Sequence, residues 1–329
     1  MSTYVILGGN GVFGVHTAIY LLQRPDVKKV ICVGRNSQKS PAYSLDVGKG
    51  DSRYAYHQIH LTFEEDRLFE LFDSEKPEVI INFAALAHGA SWDKSWRFYE
   101  TNVTALAKMV EGLLSRDYLQ RWIQIGSSEL YGAVDGPAAE DTPLRPSSPY
   151  GISKMAGDLH LETMFAVRKF PMNIIRPSNS YGPGQQLYRV VPRAVVAGLT
   201  GERLPLEGGG TARKSYFHAR DLAHAIYLVA QNAELGKTYN VGPDEPVSIR
   251  ELVEQTALAL DVPFDQLCEM KPGRAGEDSQ YWLDSTAIKK DLGWELRISL
   301  EEGLREMVDW GRKYIDLLRD DPKNYVLRA

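Results

Sequence analysis

With 329 residues, 43% of them hydrophobic, the chain has apolar material for one large α/β domain and a smaller companion. A net charge of −5 without a dense Lys/Arg block speaks against a nucleic-acid surface. The only two cysteines, Cys32 and Cys268, lie outside any CxxC or Cys/His cluster, which speaks against a disulfide framework or a metal site.

No apolar run reaches the roughly 18–20 residues that span a bilayer, and no basic, apolar leader precedes the first strand. A cytoplasmic protein with no membrane partner is expected. In chain order, Tyr4–Leu7, Val30–Val33, Val79–Phe83, Trp122–Ile125 and Asn173–Ile175 read as buried strands. Helical patterns separate them near Val15–Gln23, Glu64–Phe72, Ala105–Leu114 and Ile152–Val167. The alternation predicts an α/β fold, a doubly wound parallel sheet of Rossmann type covered on both faces. After Arg176 the texture breaks at Pro177, Gly182–Gly184 and Gly208–Gly210, with a helix at Val190–Leu199 between the breaks. A last sheet strand is expected at Thr238–Val241. Ser248 reads as an N-cap with Glu251 as its capping-box partner, and a final amphipathic helix runs from Ser299 to about Leu318. The expected division is a dinucleotide domain over 1–178, to which 217–242 returns, and a substrate-binding domain from 179–216 and 243–329.

Gly8-Gly9-Asn10-Gly11-Val12-Phe13-Gly14 follows the first strand and opens the first helix. Glycines there let the backbone approach a pyrophosphate, which meets the free N–H groups of the helix start. Either G-x-G-x-x-G from Gly9 or G-x-x-G-x-x-G from Gly8 fits the spacing. About twenty residues on, the place of the acid that binds a ribose 2′-hydroxyl holds Gly34, followed by Arg35, Asn36 and Ser37. That favours NADP, with NAD the close alternative, because Arg35 can pair with a 2′-phosphate.

Tyr150 and Lys154 lie one helical turn apart on one face. An ammonium beside a phenol favours the phenolate and so a working base. Gly126-Ser127-Ser128 ends a strand at the sheet edge where ligands sit in doubly wound folds. These motifs, with Asn82-Phe83-Ala84-Ala85, Thr101-Asn102-Val103, Ser127-Ser128-Glu129-Leu130-Tyr131-Gly132 and Arg176–Gly184, closely resemble the extended short-chain dehydrogenase/reductase family. The likeness is to its nucleotide-sugar branch, and it covers nearly the whole chain.

The resemblance implies that Tyr150 is the acid/base, Lys154 binds the nicotinamide ribose and Ser127 orients a sugar hydroxyl. It also implies cofactor contacts from Gly8, Gly11, Val12, Phe13, Gly14, Leu61, Ala84, Ala85 and Asn102. Substrate contacts are expected from His88, Asn179, Val191, Arg213 and Arg274, the arginines on the diphosphate. A homodimer is implied through a four-helix bundle built from the helices near Ala105–Leu114 and Ile152–Val167. Gly34 and His60-Leu61 depart from the family's usual acid and its Asp-Leu pair.

The Ser-Glu-Leu-Tyr-Gly run resembles the nucleotide-sugar 4,6-dehydratases. Glu129, two residues past Ser127, would be the base at sugar C5, with Ser128 as a relay or positioning group. The same pattern leaves open a 4-epimerase, a C4 dehydrogenase or a UDP-glucuronate decarboxylase. A dinucleotide-binding sensor without chemistry is the alternative of another class. His16 reads as structural, and Trp92 and Trp96 as packing residues.

Overall fold

A computed structural model describes residues 1–86, 92, 94–272 and 280–324. Its centre is a seven-stranded, wholly parallel sheet. The strands are β1 (Ser2–Leu7), β2 (Val27–Gly34), β3 (Tyr54–Gln58), β4 (Val79–Asn82), β5 (Arg121–Ile125) and β6 (Met172–Pro177), with β7 (Thr238–Val241) at the far edge. They lie in the order β7-β6-β5-β4-β1-β2-β3. The order reverses between β1 and β4, which opens a crevice at the carboxyl ends of those two strands. The architecture is the Rossmann-like sheet expected from the alternation.

Both faces of the sheet are buried, so its strands are apolar runs rather than alternating ones. Tyr4, Ile6, Val30, Cys32, Ile81 and Ile123 pack toward α1 (Val12–Leu22) and α6 (Ala219–Asn232). Val5, Leu7, Ile31, Ile80, Trp122 and Ile174 pack on the opposite face against α2 (Glu65–Glu75), α3 (Ala105–Leu113) and α4 (Pro149–Arg168). A separate apolar cluster joins α5 (Val190–Thr200), α7 (Ile249–Leu260) and α8 (Leu300–Leu318). Cys32 and Cys268 are buried in different clusters and both are free.

Ser148 caps α4 by accepting from Gly151 N at 3.0 Å, and Pro149 follows at its first position. Ser248 and Glu251 form the expected reciprocal capping box. Two features do not follow the apolar pattern. The edge strand β3 is only half-buried and carries His57 and Gln58. A five-residue π-helical turn, Glu100–Thr104, precedes α3. Trp92 and Trp96 are exposed, contrary to a packing role. Among the described residues no helix is long and apolar enough to cross a membrane.

Candidate active site

A cleft of about 1220 Å³ runs from the glycine turn across the ends of β4, β5 and β6 to α5. Gly8, Gly11, Val12, Phe13 and Gly14 form its floor. Gly8 adopts φ +78°, and a Cβ there would lie 2.9 Å from Ala84 N. A Cβ on Gly14 would sit 2.7 Å from Gly8 O, so bare glycine is what lets α1 start so close to the turn. Gly9 instead presses on Cys32 and does not line the cleft, which selects the Gly8-Gly11-Gly14 spacing. Gly11 caps α1 without a side chain, leaving the helix's first N–H groups aimed at the cleft. This cradle fits a dinucleotide pyrophosphate.

Arg35 and Asn36 line the next stretch of wall, together with Lys39. Asn10 holds this loop by donating to Ser37 O at 2.8 Å and accepting from Lys39 N at 3.3 Å. Ser37 thus contributes its backbone to the loop and does not line the cleft. Leu61 also stays out of the cleft, partly buried against the β1–β2 core. Ala84 and Ala85 line the cleft because Asn82 Oδ1 accepts from Ala84 N and bends the chain after β4.

Asn102 corrects the expectation of a cofactor contact. It is buried, and its amide is spent on Leu86 N, Leu86 O and Ser153 Oγ. It fastens the post-β4 loop to α4. The π turn is the element that carries it there.

Ser127, Ser128, Glu129, Tyr150 and Lys154 converge in the middle of the cleft. Ser127 is extended and caps the short turn Ser128–Leu130, its Oγ accepting from Glu129 N at 3.2 Å. Tyr150 is hydrogen-bonded to Ser127. Burial and the Glu129 carboxylate push the Tyr150 phenol above its ordinary range, against the pull of Ser127 and Arg189. The phenol therefore rests protonated, where the sequence suggested that Lys154 would lower it. Lys154 is buried and donates to Ile125 O, and burial pulls its ammonium below the usual lysine range.

Asn179 and Val191 line the far half of the cleft. Arg213 does not. Its guanidinium donates to Pro246 O at 2.6 Å and lies 3.6 Å from Glu251. Successive residues of the strand Arg213–Lys214 point to opposite faces, so Ala212, Lys214 and Tyr216 take the cleft side. Sequence reasoning also missed Arg189 and Arg193, which line the cleft at the start of α5. Their four-residue spacing at a helix start was the available signal. His88 and Arg274 lie outside the described residues.

The chain matches the family described as GDP-mannose 4,6 dehydratase over residues 5–307. It belongs to that family. It is an enzyme of the dehydratase and epimerase type. A low-salt glycan biosynthesis protein of Haloferax volcanii is 32% identical over 93% of this chain and 97% of its own. A dTDP-glucose 4,6-dehydratase of Streptomyces venezuelae, solved with NAD, superposes with a TM-score of 0.87 at 28% identity, covering 96% of this chain and 98% of that one. A UDP-glucose 4-epimerase of Thermotoga maritima, solved with UDP-glucose, gives 0.85 at 25% identity over 95% and 99%.

Proposed function

We propose that the protein is a nucleotide-sugar 4,6-dehydratase. The observation that carries this reading is the carboxylate of Glu129, set in the same wall as Ser127 and within electrostatic reach of the Tyr150 phenol. Oxidation and epimerisation at C4 need the phenol; elimination needs a second proton acceptor beside it.

Tyr150, ionised once Lys154 and the charge of a bound oxidised nicotinamide favour the phenolate, takes the proton of the sugar 4-hydroxyl, which Ser127 orients. A nicotinamide bound in the cleft would supply the capacity to accept the C4 hydride and to return it to C6 after water has left. With C4 a ketone, the C5–H is acidic, and Glu129 takes that proton. The protonated Glu129 then donates to the hydroxyl leaving C6 as water, with Ser128 positioning the carboxyl. Arg189, Arg193 and Lys214, rather than Arg213, supply cations for the diphosphate. Asn179 and Val191 border the same half.

The cofactor reading is NADP ahead of NAD. A Cβ at position 34 would lie 2.7 Å from the Tyr56 hydroxyl and 3.2 Å from Asn10 Cβ, so the place of a ribose-binding acid is already filled. Arg35 stands beside it at the cleft wall. The NAD held by the Streptomyces relative supports the dinucleotide class and leaves NAD as the alternative. The reading includes a homodimer.

The test is incubation with GDP-, dTDP-, UDP- and CDP-linked hexoses, followed by mass spectrometry. Loss of one water without net accumulation of reduced nicotinamide is expected. A product of unchanged mass, stoichiometric cofactor reduction or loss of carbon dioxide would replace dehydration with epimerisation, C4 oxidation or decarboxylation respectively. Bound dinucleotide with no turnover would leave a sensor.

A further inference from the structure

Tyr150, Lys154, Asp158 and Glu162 recur every fourth residue along α4 and form one stripe on that helix. Tyr150 and Lys154 face the cleft, whereas Asp158 lies behind them, fully buried. Asp158 Oδ2 accepts from Arg176 Nε at 2.9 Å, and its buried Oδ1 has no hydrogen-bond partner. Arg176, 2% exposed on β6, also donates to the Tyr131 hydroxyl at 3.1 Å and lies 3.5 Å from Glu162. A Cβ on Gly126 would sit 2.9 Å from Arg176 Cγ and 3.1 Å from Asp158 Oδ2. Bare Gly126 therefore lets the ion pair press against the backbone that leads into Ser127.

Two cations and one carboxylate share this water-poor space, with the half-exposed Glu162 at its rim. An ammonium buried without an anion tends to lose its proton, since charge is costly in a low dielectric. We propose that Asp158 is a positioning residue for the reaction: its carboxylate, one helical turn from Lys154 and hydrogen-bonded to Arg176, keeps Lys154 an ammonium where the nicotinamide ribose binds. This rests on the reading of Lys154 as a cofactor-binding group. Burial draws Lys154 down, and Asp158 is the group that opposes it. In turn Arg176 and Lys154 hold the Asp158 carboxyl down against its own burial. The remaining charged neighbours of this stripe, Glu129 and Arg189, act on Tyr150 from the cleft side, and Tyr131 faces Arg176.

The test uses the full chain and NADP⁺ or NAD⁺ alone, with affinity measured by calorimetry across pH. The Asp158→Asn variant should bind dinucleotide within about twofold of the native protein near pH 6 and lose about tenfold in affinity by about pH 9. The native protein should hold its affinity across that range. Arg176→Gln leaves Asp158 to Lys154 alone, so its alkaline loss should come no earlier than the native one. Lys154→Met should bind weakly, and combined with Asp158→Asn it should abolish that variant's alkaline loss. Coincident pH profiles for Asp158→Asn and the native protein, or an early alkaline loss in Arg176→Gln, would overturn the proposal. If Asp158→Asn does not fold, Asp158→Ser in its place should show the same early alkaline loss. Absence of dinucleotide binding by the native protein would instead sink the reading of the cleft itself.

Discussion

On the proposed dehydratase reading Tyr150 carries the chemistry and Glu129 directs it, so their variants should fail differently. Tyr150→Phe removes the acid/base hydroxyl with little change in volume. Turnover should fall by at least about a hundredfold, the low end for a lost general base, while calorimetry still shows dinucleotide binding. Glu129→Gln keeps the shape and removes the proton acceptor. It should still reduce bound cofactor in a single turnover but release no dehydrated sugar. Native-rate water loss in the Gln variant would end the dehydratase reading. At the cofactor's other end, Arg35→Ala deletes a cation at the wall that lacks an acid. A charge-assisted contact contributes about 1.5–3 kcal/mol, so NADP⁺ affinity should drop about tenfold or more with NAD⁺ affinity nearly unchanged. Equal losses for the two would remove the preference.

At the scale of elements, α4 serves two faces at once. Its inner face holds Tyr150, Lys154 and Asp158, and its outer face exposes Ile152, Leu159 and Val167. Trp96 and Tyr99, just ahead of α3, are exposed as well. Apolar side chains of this size gain by leaving water, and a second copy pairing α3 and α4 would cover them. Leu159→Arg should therefore shift a dimer to monomer in sedimentation experiments while leaving the circular dichroism unchanged; a native monomer would remove this expectation. The same elements show what the sequence made legible. Strands buried on both faces announce themselves as apolar runs, as Val79–Phe83 did, and caps such as Ser248 and Glu251 are local chemistry. The edge strand Tyr54–Gln58 is half-wet and mixed in composition, so no run marks it. The glycine turn and the Ser127, Tyr150 and Lys154 trio were legible because strict backbone and side-chain requirements recur there. Which of Arg213 and Lys214 faces the cleft depends on strand parity, which one residue of slip reverses. The inward turn of Asn102 depends on a π-helical turn whose cause is tertiary.

Across the whole molecule, three histidines are buried where α1, α6 and α8 meet the ends of the sheet. His16 on α1 lies 2.9 Å from Pro183 O in the loop that borders the cleft. His218 packs edge-on against His16 and Tyr181, and a Cβ at Gly303 of α8 would lie 3.2 Å from its ring. His224 on α6 packs against Tyr20. Burial lowers His16 and His224 to about 4 and His218 to about 3, with Arg220 adding to the first and last and Arg297 and Arg24 to the second. Each histidine is thus neutral in the fold and titrates near 6.5 once unfolded. Between about pH 6.5 and 4 the unfolded chain binds more protons, so stability falls as pH falls. Asp221 works in the opposite direction. Its carboxyl is pushed up to about 6 by burial, although Arg297 N and Ile298 N donate to it. The folded state therefore holds that proton more tightly, which adds stability as pH falls below about 6. Three histidines against one carboxyl give these four groups a net uptake of about two protons on unfolding near pH 5, roughly 2.7 kcal/mol per pH unit from them. Urea denaturation at a series of pH values, native against variant, reads one ring's share of the slope. His16→Asn should reduce the slope by about one proton, and an unchanged slope would show that this ring does not titrate with unfolding.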